Sequence, residues 1–167
     1  MRKLAVRGLG MVTAGTILWI DDERGGSFVE VDSCDSLPQL RRGAELTGAI
    51  KLEVNGVEVL GQRLVDNIVM MWSRVGSIVN EYGNGRPARM GLPEQNIYFA
   101  LEPLARKQIL VSCEGGSLGR VAAAAGEEEL LFALRFAGNE FYDKMEELNG
   151  RFWPADRTLL NLGSDFQ

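Results

Sequence analysis

The stretch Ala49-Ile50-Lys51-Leu52-Glu53-Val54-Asn55-Gly56-Val57-Glu58-Val59-Leu60-Gly61 decides the class of fold. Ile50, Leu52 and Val54 alternate with Lys51 and Glu53, the period of a strand with one buried and one wet face. Asn55-Gly56 separates this run from Val57-Glu58-Val59-Leu60. A type I′ turn needs positive φ at both central residues, which Asn and Gly adopt at the least steric cost, so residues 49–61 are predicted to form a hairpin. Strands joined by so short a turn are antiparallel, which sets the expectation for their neighbours.

Downstream the period changes. Leu64, Ile68, Met71, Val75, Ile78 and Tyr82 follow steps of four and three, one face of a helix, and Val65, Val69, Trp72 and Val79 widen that stripe. Gly83 and the Gly- and Pro-containing residues 82–87 end it. Residues 96–102 and 108–114 alternate again and are predicted to form a second hairpin through residues 103–107, with 120–124 a weaker strand because alanine is a poor strand former. Glu127-Glu128-Glu129 suits the positive end of a helix dipole. From there Leu130, Leu134, Ala137, Phe141, Met145 and Leu148 mark a second long helix, stopped at Asn149-Gly150.

Upstream, residues 16–20 and 27–32 are predicted strands around the polar turn 21–26, and 37–46 is a connection broken by Pro38 and Gly43. Residues 1–20 have a basic start and an apolar run. Arg7 interrupts that run, and no small-residue cleavage site follows, so a secretory signal is not expected. Residues 1–10 carry no clear pattern and are a candidate for disorder, with Met11 a candidate start. Residues 151–167 hold Phe152, Trp153, Leu159, Leu160, Leu162 and Phe166, too apolar for a solvated tail, and are expected to pack on the body or on a partner. The expected architecture is a single α+β domain over residues 1–167: an antiparallel sheet built from hairpins, with two long amphipathic helices packed on one face.

Composition narrows the chemistry. The 167 residues include no histidine, which removes Ser-His-Asp and Cys-His catalysis and histidine-ligated zinc sites together. Twenty-three Asp and Glu against 18 Lys and Arg give a net charge of −5, which repels phosphate backbones, so nucleic acid is not an expected partner, and neither is a membrane. Cys34 and Cys113 lack any metal-type spacing and are expected to be reduced thiols in a cytoplasmic protein.

Residues 17–23, Ile17-Leu18-Trp19-Ile20-Asp21-Asp22-Glu23, resemble the start of a response-regulator receiver, where paired acids after a strand help to bind magnesium. The resemblance covers seven residues. It implies alternating helices and parallel strands, whereas hairpins follow here, so Asp21 and Asp22 read as a solvated turn. Gly115-Gly116-Ser117-Leu118-Gly119-Arg120 matches neither phosphate-loop pattern and reads as a turn as well. The three consecutive glutamates point in different directions on a helix and do not converge.

By contrast, Glu140, Asp143 and Glu147 share one helix face and are the candidate partner-binding residues. No cofactor or metal is implied. The function expected is non-catalytic protein binding, in the manner of an acidic inhibitor or immunity-type partner of a basic protein. The alternatives are a homo-oligomeric ligand-binding or structural domain that buries its apolar tail and first helix between subunits, and a carboxylate- or metal-dependent enzyme using Asp21, Asp22 or Glu102.

Overall fold

The computed structural model describes residues 11–37, 45–150 and 153–164. The hairpin forms as its sequence dictates. β3 (Thr47–Val54) and β4 (Val57–Leu60) are antiparallel, and Asn55 and Gly56 have φ of 51° and 83°. Leu52 pairs with Leu60 while Glu53 pairs with Glu58, so Val59 is the extra residue of a bulge, and Val59 and Leu60 are both buried.

β1 (Val12–Asp22) lies between β3 and β2 (Gly25–Glu30), giving the order β2-β1-β3-β4, and the two-residue β5 (Asp66–Asn67) pairs with the start of β3. A short 3-10 turn, Val31–Ser33, follows β2. A second antiparallel sheet runs in the order β6 (Ala88–Gly91), β7 (Tyr98–Leu104), β8 (Gln108–Gly115), β9 (Gly119–Gly126).

The strands thus belong to two sheets where hairpin order alone suggested one. Hairpin signals specify local pairs, and nothing in them says whether β4 will hydrogen-bond to β9. Here the two strands are in contact but do not pair, and the Asn55 side-chain amide donates to the carbonyl of Ala124 at 3.1 Å.

Helix α1 (Ile68–Gly83) packs on β3, β6 and β7, and α2 (Glu127–Asn149) on β1, β8 and β9, so each covers strands from both sheets. α1 starts four residues later than its apolar period suggests. The Asn67 side chain accepts the N–H of Met70 as a cap. The buried Asp66 carboxylate accepts the N–H groups of Asn67 and Glu94, which holds residues 66–67 extended.

A third helix, α3 (Pro154–Asn161), rises from the apolar tail. Pro154 at its first position is a start signal that the reading of the tail did not use. Of that tail, residues 151, 152 and 165–167 lie outside the described residues, as do residues 1–10 and the 38–44 part of the connection.

α3 packs chiefly on α1 and also touches α2. Its seat is made of glycine. A Cβ at Gly138 of α2 would fall 2.5 Å from Leu160 and 3.0 Å from the Trp72 ring, and one at Gly76 of α1 would meet the α3 backbone at 3.4 Å. Trp72 is fully buried and donates its Nε1–H to Thr16 of β1 at 3.0 Å, and Phe141 stacks between Trp72 and Trp153. One cluster of buried side chains runs through both sheets and all three helices.

Gly138→Ala is expected to lower the unfolding free energy by about 1–3 kcal/mol, because the methyl overfills the junction. Gly83→Ala, where an added Cβ meets nothing within 4 Å, is expected to change it by less than about 1 kcal/mol and upward. Urea unfolding of both variants checks this, and equal stability of Gly138→Ala and the parent would refute the packing described.

Candidate functional site

Helix α2 is two-faced. Its core stripe of Leu130, Leu134, Ala137, Phe141 and Met145 is buried, as its spacing requires. Phe132, Phe136, Glu140, Asp143 and Glu147 follow the same steps of four and three on the opposite side. The Phe132 and Phe136 rings stack at 6.1 Å and remain 57% and 53% exposed. Aromatic rings left half in water beside a row of carboxylates are not what a purely solvated face requires.

The three candidate residues Glu140, Asp143 and Glu147 come together. They line one open groove of about 480 Å³ with Phe136, Asn139 and Lys144 of α2, Asp32 of the 3-10 turn and Arg157 of α3. Sequence spacing found the α2 carboxylates but not Asp32 or Arg157, which only the tertiary fold delivers. Phe136 was within reach of the same spacing argument, being four residues before Glu140.

Arg157 is fixed in place by a polar network. Its Nη2 binds Asp143 Oδ1 at 2.6 Å and its Nε donates to Asn139 Oδ1 at 3.2 Å. Asn139 and Asn161 exchange side-chain amide hydrogen bonds at 2.8 and 2.9 Å, and Arg135 donates to the carbonyls of Leu160 and Leu162. The last contacts put a cation at the negative end of α3. Lys144, its stem largely buried, reaches Glu147 at 3.5 Å. Asp143 and Glu147 therefore each have an intramolecular cation. Asp32 and Glu140 have none at salt-bridge distance among the described residues.

Burial pushes the Glu140 carboxyl above the ordinary carboxylate range, and the negative charges of Asp32 and Glu30 push it further, with Lys144 partly offsetting them. Asp32 also borders a second groove, of about 430 Å³, whose charged wall is formed by Glu30, Lys51, Glu53 and Glu58. Lys51 pairs with Glu30 at 3.1 Å. Glu53 and Glu58 lie directly opposite each other in the β3–β4 register, a like-charge pair that disfavours the hairpin. Around the two grooves the described residues place seven carboxylates against three cations. That is a net of four negative charges along the two grooves.

Of the other sequence candidates, Asp21 and Glu102 do not converge. Asp21 is exposed at the end of β1 and accepts the Nε1–H of Trp19, while Glu102 is exposed on β7 of the other sheet. Glu127 accepts the Tyr82 hydroxyl, and Glu129 accepts the N–H of Val12, so the helix-start glutamates serve separate structural contacts. Gly115, Gly116 and Gly119 have positive φ in the β8–β9 turn. Among the described residues no three Cys, Asp or Glu side chains are arranged to hold a metal ion. Cys34 and Cys113 are free and buried, and burial pushes the Cys113 thiol up to about 11, which leaves it protonated at neutral pH. Among the described residues no helix is long and apolar enough to cross a membrane.

No known protein family, curated protein or solved structure matches the chain.

The raised pKa of Glu140 has a definite sign. A carboxyl that holds its proton more tightly in the folded state favours folding below its unfolded pKa, and that contribution is lost as pH rises through the folded value. Glu140→Gln is therefore expected to unfold at a higher temperature than the parent at pH 7, with the difference vanishing near about pH 4. Thermal unfolding across this range checks it, and a pH-independent difference would contradict it.

Proposed function

We propose that this chain is a non-catalytic binding protein that docks a basic region of another protein on the acidic surface centred on Asp32 and α2. The observation that carries this reading is the gathering of seven carboxylates against three cations along two adjoining grooves that share Asp32. Like charges held together in this way destabilise a fold unless something outside it neutralises them, and a surface of one sign steers a partner of the other sign. An inhibitor or immunity-type protein works in this manner, by covering the basic site of an enzyme. The free, buried thiols suit a reducing compartment such as the cytoplasm.

Self-association has less support. Met71, Trp72, Val75 and Val79 of α1 and Leu160 of α3 are already buried within the chain, and the acidic surface repels its own copy.

One observation favours a second reading, as an enzyme using carboxylates. Glu140, inclined to hold its proton, shares a groove with the carboxylate of Asp32, and a pair of carboxyl groups in one groove is what acid–base chemistry employs. A turnover abolished in both Asp32→Asn and Glu140→Gln would establish it in place of binding.

The binding reading is tested with a labelled peptide that alternates lysine with glycine, followed by fluorescence anisotropy. Affinity is expected to fall steeply between about 0.02 and 0.2 M salt. It is expected to drop about tenfold or more when Glu140→Gln, Asp143→Asn and Glu147→Gln are combined. Glu102→Gln with Glu114→Gln, on the outer face of the second sheet, is expected to leave it unchanged. Equal losses from the two sets would show that the peptide responds only to overall charge.

A further inference from the structure

Within the acidic groove the carboxylates are not equivalent. Asp143 and Glu147 have their own cations in Arg157 and Lys144. Asp32 and Glu140 face the same groove without one among the described residues, and the exposed ring of Phe136 stands one helical turn from Glu140. An aromatic face adjoining two carboxylates that lack a salt-bridge partner distinguishes between kinds of cation. An ammonium is compact and strongly hydrated, and it gains little from a phenyl ring at an open site. A guanidinium is planar and weakly hydrated, so it can lie on the ring while its edge donates to carboxylates.

The molecule itself uses the two halves of this chemistry separately. Arg157 sets its guanidinium edge against Asp143 and Asn139 in the same groove. On the second sheet the Arg89 guanidinium lies 3.9 Å from the centre of the Tyr98 ring. The groove, at about 480 Å³, has room for a further arginine side chain beside Arg157.

We propose that the Phe136 end of the groove is an arginine-selective subsite, in which a guanidinium of the partner protein lies against the Phe136 ring and is held by the carboxylates of Asp32 and Glu140. This rests on the binding reading above and adds the identity of the side chain recognised. Arg157 then serves as an internal neighbour that keeps Asp143 occupied and directs the incoming cation to Glu140 and Asp32. Phe136 is the element that sets the preference for arginine over lysine.

The test uses the full chain and two labelled peptides of equal length and charge, one alternating arginine with glycine and the other lysine with glycine, at equal ionic strength. The arginine peptide is expected to bind about three- to fivefold more tightly. Phe136→Ala is expected to bring the ratio of the two affinities close to one, and Phe136→Tyr, which retains an aromatic face, to restore it. A ratio of one in the parent, or a preference that survives Phe136→Ala, overturns the subsite while leaving the acidic docking surface standing. If neither peptide binds, or if both bind Glu140→Gln as tightly as the parent, the docking surface fails and the subsite fails with it.

Discussion

At Gly138 there is no room for a methyl group. The Trp72 ring of α1 and Leu160 of α3 close on the backbone of α2 from two sides, and this contact fixes the rotation of α2 about its own axis. Interiors packed to crystal-like density do not tolerate a helix turned by even part of a step, because each buried side chain would leave its hole. Once Leu130, Leu134, Phe141 and Met145 point inward, Phe136, Glu140, Asp143 and Glu147 have one direction left, and it is outward. The same junction seats α3, whose Arg157 then reaches Asp143.

The acidic surface follows from that rotation together with the path of the chain after β2. The 3-10 turn at Val31–Ser33 buries Val31 and brings Asp32 to the rim of the groove that α2 lines. Asp32 also borders the second groove, with Glu30, Glu53 and Glu58. Several of these choices work against stability. Glu53 faces Glu58 across the hairpin, and Glu140 is half-buried beside Asp32. Local features that oppose folding without an internal compensation are the places where a fold serves a partner instead of itself.

Much of the fold was legible because it is written in short-range periods. The Asn55-Gly56 hairpin, the second hairpin, the two long helices and the turn at Gly115-Gly116 lie where alternation, helical spacing and turn chemistry put them. The Ala122 to Ala125 run was harder to read, since alanine has little strand propensity, and it is a strand because β8 supplies its hydrogen-bond partners. The start of α1 was displaced by a cap and by the carboxylate of Asp66, neither of which alters hydrophobic period. The short β6 had no alternation long enough to detect. In the groove, Glu140, Asp143 and Glu147 were visible because one helix carries them. Asp32 and Arg157 were not, because they are more than a hundred residues apart in sequence and meet only through packing.

The functional picture therefore reduces to a two-faced helix, the 3-10 turn and the strands β2 to β4, which together gather seven carboxylates against three cations along two adjoining grooves. That claim can be examined without any partner by NMR, comparing the relaxation of backbone amide protons caused by a cationic and by an anionic nitroxide of the same size. The amides of Asp32, Ser33, Glu140 and Asp143 should show the largest excess of the cationic over the anionic effect. An excess spread evenly over the molecule, or greatest on the outer face of the β6–β9 sheet, would contradict it.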